Sequence, residues 1–285
     1  MNSLKDYLKE ARDGHYAIGH FNFSTEDVLR GIVEAARDAR APAVMVGTSE
    51  GEVEFFGMYE AVALVGAVGK HYNFPVFLNA DHFKSFDKCR EAIDAGYDSV
   101  IIDESKMAFA DNISATKKVV EYAKSVGKGT LVEGEIGYLR GSSEVQKKIE
   151  ISSADYTKPE EAREFVSKTG VHQLATVFGN IHGIVTEQEE KLDIEHFKSI
   201  ITSVPEVYYV LHGASGLNDA DVQAAIRAGV TNVHFNTELR VAYTEGLHKA
   251  LHDKPGETTP YKYLKVGVDE MKKVVAAKVK MFMSK

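Results

Sequence analysis

Short β-rich apolar runs alternate with longer amphipathic stretches along the whole chain, and this alternation constrains the fold more than any other feature. The runs lie at residues 16–23, 43–47, 76–80, 99–102, 130–132, 173–178, 207–211 and 231–235. Several are unbroken apolar segments, the pattern of strands buried on both faces. Between them, residues 87–95, 111–126, 159–169, 193–203 and 219–228 carry helical periodicity. Asp or Asn opens several of these, and Gly96 and Gly229 stop two of them. Ser24 reads as the N-cap of a helix with Val28, Ile32 and Ala35 on one face, and another helix ends near His71. Such units imply a parallel sheet covered by helices, and eight of them in 285 residues predict a closed (β/α)₈ TIM barrel. An open doubly wound sheet is the alternative; no Gly-x-Gly-x-x-Gly follows the first strand, which weakens its dinucleotide-binding form. At about 150 residues per domain the length also allows two domains, but a single barrel domain over 1–285 absorbs every unit.

The connection at 138–156 breaks this rhythm. It is polar, contains Gly141-Ser142-Ser143 and follows a strand's carboxyl end, so a mobile lid is expected there rather than a plain surface insertion. Residues 261–285 read as a C-terminal helix with lysines on one side. At the other end, Leu4, Tyr7 and Leu8 have helical spacing among charges, without the apolar core of a signal peptide.

Charge and cysteine usage exclude several functions. With 34 basic and 42 acidic residues the formal net charge is −8, and no basic arm stands out, so no nucleic-acid partner is expected. The single cysteine, Cys89, rules out an internal disulfide framework and a Cys-rich zinc module. No apolar stretch approaches the ~20 residues of a membrane span, so no membrane association and a cytoplasmic location are expected.

Eleven histidines remain to be explained. Laid on the strands, Asp81-His82 follows the third, Asp103-Glu104 the fourth, Asn180 and His182 the sixth, His212 the seventh, and His234 with Asn236 the eighth, while Glu133 and Glu135 belong to the fifth. All would meet at the carboxyl face, where barrel active sites lie. Three imidazoles with an open fourth position suit a catalytic Zn²⁺, and His82, His182 and His212 each adjoin a turn or small residue. Strand alternation would send Asp81 and His82 in different directions, one to metal and the other to a substrate proton. Glu135, on the same face as Glu133, offers an oxygen ligand, a base or a partner for a histidine. The remaining histidines, among them His15, His20, His71, His172, His196, His248 and His252, are assigned no special role. Gly213-Ala214-Ser215-Gly216 ahead of a helix reads as a turn favourable for phosphate, joined by Gly183 and by Asn236-Thr237; Arg240, one helical turn on, is placed to meet a second anionic group or to stay solvated.

These motifs, Asp81-His82, Val132 through Gly137, Gly179 through Gly183, His212 through Gly216 and Asn236 through Arg240, resemble in order the class II, zinc-dependent ketose-bisphosphate aldolases. The resemblance runs from about residue 16 to 252. It implies zinc on His82, His182 and His212 with Glu135 as an alternative ligand, and Asp81 exchanging a proton with the C4 oxygen. It places Asn22 and Ser49 near the substrate, and puts Gly183, Gly213, Ala214, Ser215, Asn236 and Thr237 around one phosphate with Arg240 at the other. It also implies a monovalent cation (Na⁺ or K⁺) beside the phosphate, a homodimer or homotetramer, and a phosphorylated ketose as substrate. Fructose 1,6-bisphosphate is the favoured substrate and tagatose bisphosphate or another phosphoketose the alternative, in carbohydrate metabolism of the glycolytic kind. Glu144 is the candidate for the loop base. Three positions depart from the family pattern. Phe83 replaces a glycine and is expected to place bulk beside the metal. His234 replaces an asparagine that helps hold the enediolate, making it a substrate neighbour. Asn236 replaces an aspartate that helps separate the epimers. A zinc hydrolase, poorly served by His20-Phe21-Asn22, and a non-catalytic phosphosugar-binding or assembly protein are the rival readings.

Overall fold

A computed structural model describes residues 2–283. The chain opens with α1 (Leu4–Gly14), β1 (Ile18–Asn22), α2 (Glu26–Asp38), β2 (Val44–Thr48), α3 (Glu50–Phe56), α4 (Met58–Tyr72) and β3 (Val76–Phe83). It continues through α5 (Phe86–Ala95), β4 (Ser99–Ile102), α6 (Phe109–Val126), β5 (Leu131–Ile136), β6 (Gly141–Gln146), α7 (Pro159–Thr169) and β7 (Gln173–Thr176). After β8 (His182–Val185) come α8 (Ile194–Ser203), β9 (Tyr208–Leu211), α9 (Asp219–Ala228), β10 (Val230–His234), α10 (Thr237–Asp253) and α11 (Pro260–Met283). The strands close in the order β1-β10-β9-β7-β5-β4-β3-β2, every pair parallel. Because β1 pairs with both β10 and β2, the sheet has no free edge, and the open doubly wound alternative is excluded.

The barrel interior is built in layers by the two-residue period of its strands. Ile18, His20 and Asn22 share one face of β1; Phe77, Asn79 and Asp81 share one face of β3; Leu131, Glu133 and Glu135 share one face of β5. At the amino ends, Ile18, Met45, Phe77, Leu131 and Tyr208 form an apolar floor, plugged by Leu4, Leu8 and Ala11 of α1. Above it lies a buried polar layer, in which Asn79 Nδ2 is 3.1 Å from His20 Nε2 and Gln173 donates to Ser99 Oγ at 2.9 Å. The charged residues sit at the carboxyl ends. A larger apolar shell, including Phe165, Phe178 and Phe197, fills the space between strands and helices.

Several local expectations are corrected. The N-cap of α2 is Thr25, not Ser24, and its side chain makes no capping bond. The helix expected to end near His71 is two helices, α3 and α4, interrupted at Gly57. Strand β3 runs on to Phe83, so Asp81 and His82 lie within it rather than after it. The connection at 138–156 holds strand β6, which pairs in parallel with β8 through Gly141 to His182, Val145 to Ile184 and Gln146 to Val185. A polar lid is thus an ordered arm over the carboxyl face. Of the helix expected over 261–285, the last two positions lie outside the described residues.

Candidate active site

A cavity of about 160 Å³ opens at the carboxyl ends of the strands, lined among others by Asp81, His82, His182, His212, His234 and Arg240. His82, His182 and His212 come from β3, β8 and the end of β9, and each offers a ligand atom within 4.8 Å of the others. His182 Nε2 lies 3.2 Å from His82 Nε2. The remaining nitrogens are anchored by carboxylates: His82 Nδ1 lies 3.1 Å from Asp103 Oδ2 and 3.5 Å from Glu135 Oε2, and His212 Nε2 lies 2.7 Å from Glu133 Oε1. An imidazole that gives its N–H to a carboxylate keeps its other nitrogen free as a metal ligand. These donors fit Zn²⁺: three converging imidazoles, no thiolate, and an excess of buried carboxylate around them.

The electrostatics point the same way. Burial alone would lower His82, but Asp81, Asp103 and Glu135 outweigh it and carry the imidazolium up to about 10. Burial and the neighbouring His82 charge lower His212 to about 3, and His182 is held well below its usual value for the same reasons. Burial pushes Glu133 up to about 7 and Glu135 up to about 8. The site thus favours one positive charge among its imidazoles, which a bound cation would supply.

Asp81 and His82 both enter the cavity, against the divergence expected from strand alternation. The cause is local: His82 adopts φ 53°, left-handed for a non-glycine residue, and the β3–β4 register shifts between Ala80 and Phe83. Such a conformation costs of order 1–3 kcal/mol and persists only where the surroundings hold it. The same irregularity turns Phe83 outward, fully buried in the apolar shell, so its bulk does not stand beside the metal ligands.

Asp81 is held from two sides. Its Oδ2 accepts from Asn22 Nδ2 at 2.9 Å, and its Oδ1 lies 3.2 Å from His234 Nδ1. Burial would raise its pKa, yet the His82 charge and the His234 contact prevail and hold the carboxylate well below its usual range. Asn236 Oδ1 accepts the main-chain N–H of Asn22 at 2.7 Å. Ser49 caps α3 and donates its hydroxyl to Glu52 Oε2 at 2.9 Å.

Opposite these lies the glycine-rich turn. Gly213 has φ 66°, and a Cβ there would overlap the Ile181 carbonyl, so the turn that presents Ser215 to the cavity requires glycine. Ser215 Oγ accepts from Thr237 N at 3.1 Å, tying the turn to the start of α10. Gly183, Gly213, Ser215, Asn236 and Thr237 all line the cavity; Ala214 is fully buried and does not. The ordered arm seals this side: Arg240 Nη2 donates to the carbonyl of Ser143 and, at 2.7 Å, to its hydroxyl, which lies 3.2 Å from Thr237 Oγ1.

Of the residues expected at the site, Ala214, Glu135 and Glu144 do not line the cavity, Glu135 standing behind His82. Glu144, the candidate base, faces solvent, and its neighbour Ser143 lines the cavity instead, as alternation along β6 requires. Sequence reasoning gave no role in this site to His20 or Glu52, and it placed Asp103 and Glu133 at the carboxyl face without naming the histidines they hold. His20 and Glu133 were within reach, each two residues from a chosen position on the same strand face.

A parallel barrel with three converging histidines, a carboxylate and a glycine-rich turn at its carboxyl face has the make-up of a barrel enzyme with a candidate metal site. The family profile described as fructose-bisphosphate aldolase class-II matches residues 2–285. The fructose-bisphosphate aldolase of Staphylococcus aureus (strain Mu50) is 36% identical over 98% of this chain and 96% of its own. That of Staphylococcus epidermidis (strain RP62A) is 35% identical over the same shares. Among solved structures, the YdjI aldolase of Escherichia coli K12 superposes with a TM-score of 0.83 at 28% identity, over 98% of this chain and 96% of that one. The Campylobacter jejuni fructose-bisphosphate aldolase gives 0.83 over 98% and 93% at 20% identity, which speaks to the fold. The chain belongs to the class II fructose-bisphosphate aldolase family and is a carbon–carbon lyase.

Proposed function

We propose that the protein catalyses the reversible aldol cleavage of fructose 1,6-bisphosphate to dihydroxyacetone phosphate and glyceraldehyde 3-phosphate, the whole chain working as one barrel. The observation that carries this reading is the convergence of His82, His182 and His212 with Asp81 in one cavity that also contains the Gly213 turn. His82, His182 and His212 would hold Zn²⁺, which when bound supplies a Lewis acid for the ketone at C2 and the charge that develops there.

The chain's own groups carry the remaining steps. Asp81, held ionised beside His234, takes the C4 hydroxyl proton as the C3–C4 bond breaks and returns it in condensation. Asn22 fixes the direction of that carboxylate. The hydroxyls of Ser215 and Thr237 and the main chain at Gly183 and Gly213 bind the phosphate of the dihydroxyacetone half, with a monovalent cation beside it, and Arg240 binds the distal phosphate. Glu133 and Asp103 orient the zinc-binding imidazoles, with Glu135 in reserve as an oxygen ligand. Asn236 and His234 face the substrate's hydroxyls. The protein is expected to act in the cytoplasm as a homodimer or homotetramer; among the described residues no helix is long and apolar enough to cross a membrane.

Coupled cleavage assays on fructose and tagatose 1,6-bisphosphates, before and after chelation and zinc replacement, test the proposal. Cleavage that disappears with chelator and returns with zinc is expected. Turnover surviving complete zinc removal rejects the mechanism, and inactivity on every phosphorylated ketose rejects the function.

A further inference from the structure

Glu52 is the one carboxylate besides Asp81 that lines the catalytic cavity. Ser49 and Glu52 have the spacing of a capping box, which puts Glu52 at the third position of α3 with its carboxylate folded back on Ser49. Its Oε2 accepts from Ser49 N at 2.7 Å and from Ser49 Oγ at 2.9 Å, and these bonds tie that oxygen to the turn after β2.

A cap alone does not explain the rest of its surroundings. Helix α3 is seven residues long and buries none of them, so a glutamate at its start could stand in water. Glu52 lines the cavity instead, and burial holds its carboxyl above the usual value. The same Oε2 accepts a third bond, from Asn22 Nδ2 of β1 at 3.0 Å. Gly47, the β2 partner of Asn22, leaves room for this, since a Cβ there would stand 2.6 Å from Asn22 Oδ1.

Asn22 Nδ2 has two hydrogens, and both go to carboxylates: one to Glu52 Oε2, the other to Asp81 Oδ2 at 2.9 Å. Its Oδ1 is buried without a partner, so the two carboxylates are what holds the amide. Without Glu52, Asn22 and Asp81 would still bond to each other but could swing together. With Glu52, hydrogen bonds run unbroken from the Ser49 main chain through Glu52 and Asn22 to the Asp81 oxygen.

We propose that Glu52 is a positioning residue for the aldol step: anchored at the start of α3, it holds Asn22, and through Asn22 it fixes the direction of the Asp81 carboxylate toward the C4 hydroxyl. The proposal rests on the aldolase reading above. Glu52 itself takes no proton from the substrate; it keeps the group that does so within the narrow range of positions that proton transfer requires.

The test is steady-state cleavage of fructose or tagatose 1,6-bisphosphate, whichever the zinc-loaded wild type turns over faster, by Glu52→Ala, Glu52→Gln, Asn22→Ala and the double variant Glu52→Ala/Asn22→Ala. Melting temperature and zinc content are measured beside the rates. Misplacing a reacting group by about 1 Å costs on the order of 10²-fold, so Glu52→Ala should lower kcat by about 10- to 100-fold and retain zinc. Its KM should stay within about threefold of the wild type, because the lost contact serves the transition state rather than binding. Glu52→Gln, which keeps the cap and an acceptor for Asn22, should hold kcat within about threefold. Removing Glu52 from Asn22→Ala should change kcat by less than about twofold, since the path is already broken. A lower melting temperature with unchanged kcat makes Glu52 a helix cap only and overturns the inference. A loss confined to KM overturns it too, as does a Glu52→Ala loss that persists undiminished without Asn22. Each of these leaves the aldolase reading standing, whereas a wild type inactive on every phosphorylated ketose overturns both.

Discussion

The imidazoles of His20 and His234 stack with ring centroids 3.6 Å apart and planes 5° from parallel. They meet because β1 and β10 pair with His20 opposite His234, which brings two rings from the ends of the barrel's sequence onto neighbouring strands. His234 is thereby clamped between His20 and His212, whose ring centroid lies 4.0 Å away, with Nδ1 directed at Asp81.

Removing the clamp should cost stability. His20 is fully buried, and its Nε2 is 3.1 Å from the Asn79 amide. His20→Ala leaves a cavity against His234 and an amide without its partner, and destabilisation by about 2–4 kcal/mol is expected. Urea denaturation measures it; an unchanged midpoint would contradict the packing described.

The division of labour between Asp81 and the histidines makes a second prediction. Asp81→Ala should retain zinc after dialysis and lose about 10²–10⁴-fold in cleavage, the range of a general acid–base group. His212→Ala should lose zinc, since it removes a ligand already aligned by Glu133. Metal content by mass spectrometry beside steady-state rates separates the two, and equal metal loss in both variants contradicts the assignment.

Zinc uptake should release at least one proton. In the metal-free protein His82 keeps its proton up to about pH 10, while His212, lowered to about 3, and His182, also lowered, are neutral at pH 8. Metal binds neutral imidazole, so the proton leaves His82, and apparent affinity rises by about tenfold or more per pH unit between pH 7 and 9, the raised carboxyls of Glu133 and Glu135 shedding protons over the same range. Calorimetry in two buffers of different ionisation enthalpy counts the protons; a count of zero is the contrary result.

Glu190 predicts a pH-dependent gain in stability. It is 5% exposed beside Gly216, and burial pushes its carboxyl from 4.5 up to about 8. A folded-state value above the unfolded one means that the folded protein holds the extra proton between these limits, so stability falls as pH rises from about 4.5 to about 8. Glu190→Gln should raise stability by on the order of 1 kcal/mol at pH 8.5, discounted for partial solvation, and leave it unchanged at pH 4.5. Thermal melts at the two pH values decide; an equal shift at both removes the titration from the account.

Most of the barrel was legible because its strands are apolar runs flanked by turn formers and its helices keep one apolar face. Strand ends were less so. Asp81-His82 carries no local mark of the left-handed turn at His82, since φ there is imposed by the meeting of β3 with β4 and by the groups that hold both side chains inward. For the same reason Phe83 read as an obstruction and proved to be shell packing. The arm at 141–146 was missed as a strand because it is polar and exposed, and its pairing with β8 is a long-range choice rather than a local propensity.

The sequence by itself determined the alternating strand–helix units, the three histidines and the carboxylate, and the glycines at the phosphate turn, because periodicity and residue chemistry are local properties. Only the tertiary structure decided which side chains share a cavity: His20 against His234, Asn22 between Glu52 and Asp81, and Ser143 against Arg240. Those contacts join residues 30 to 214 positions apart, and they follow from closing the sheet into a ring, which brings together side chains that no local pattern pairs.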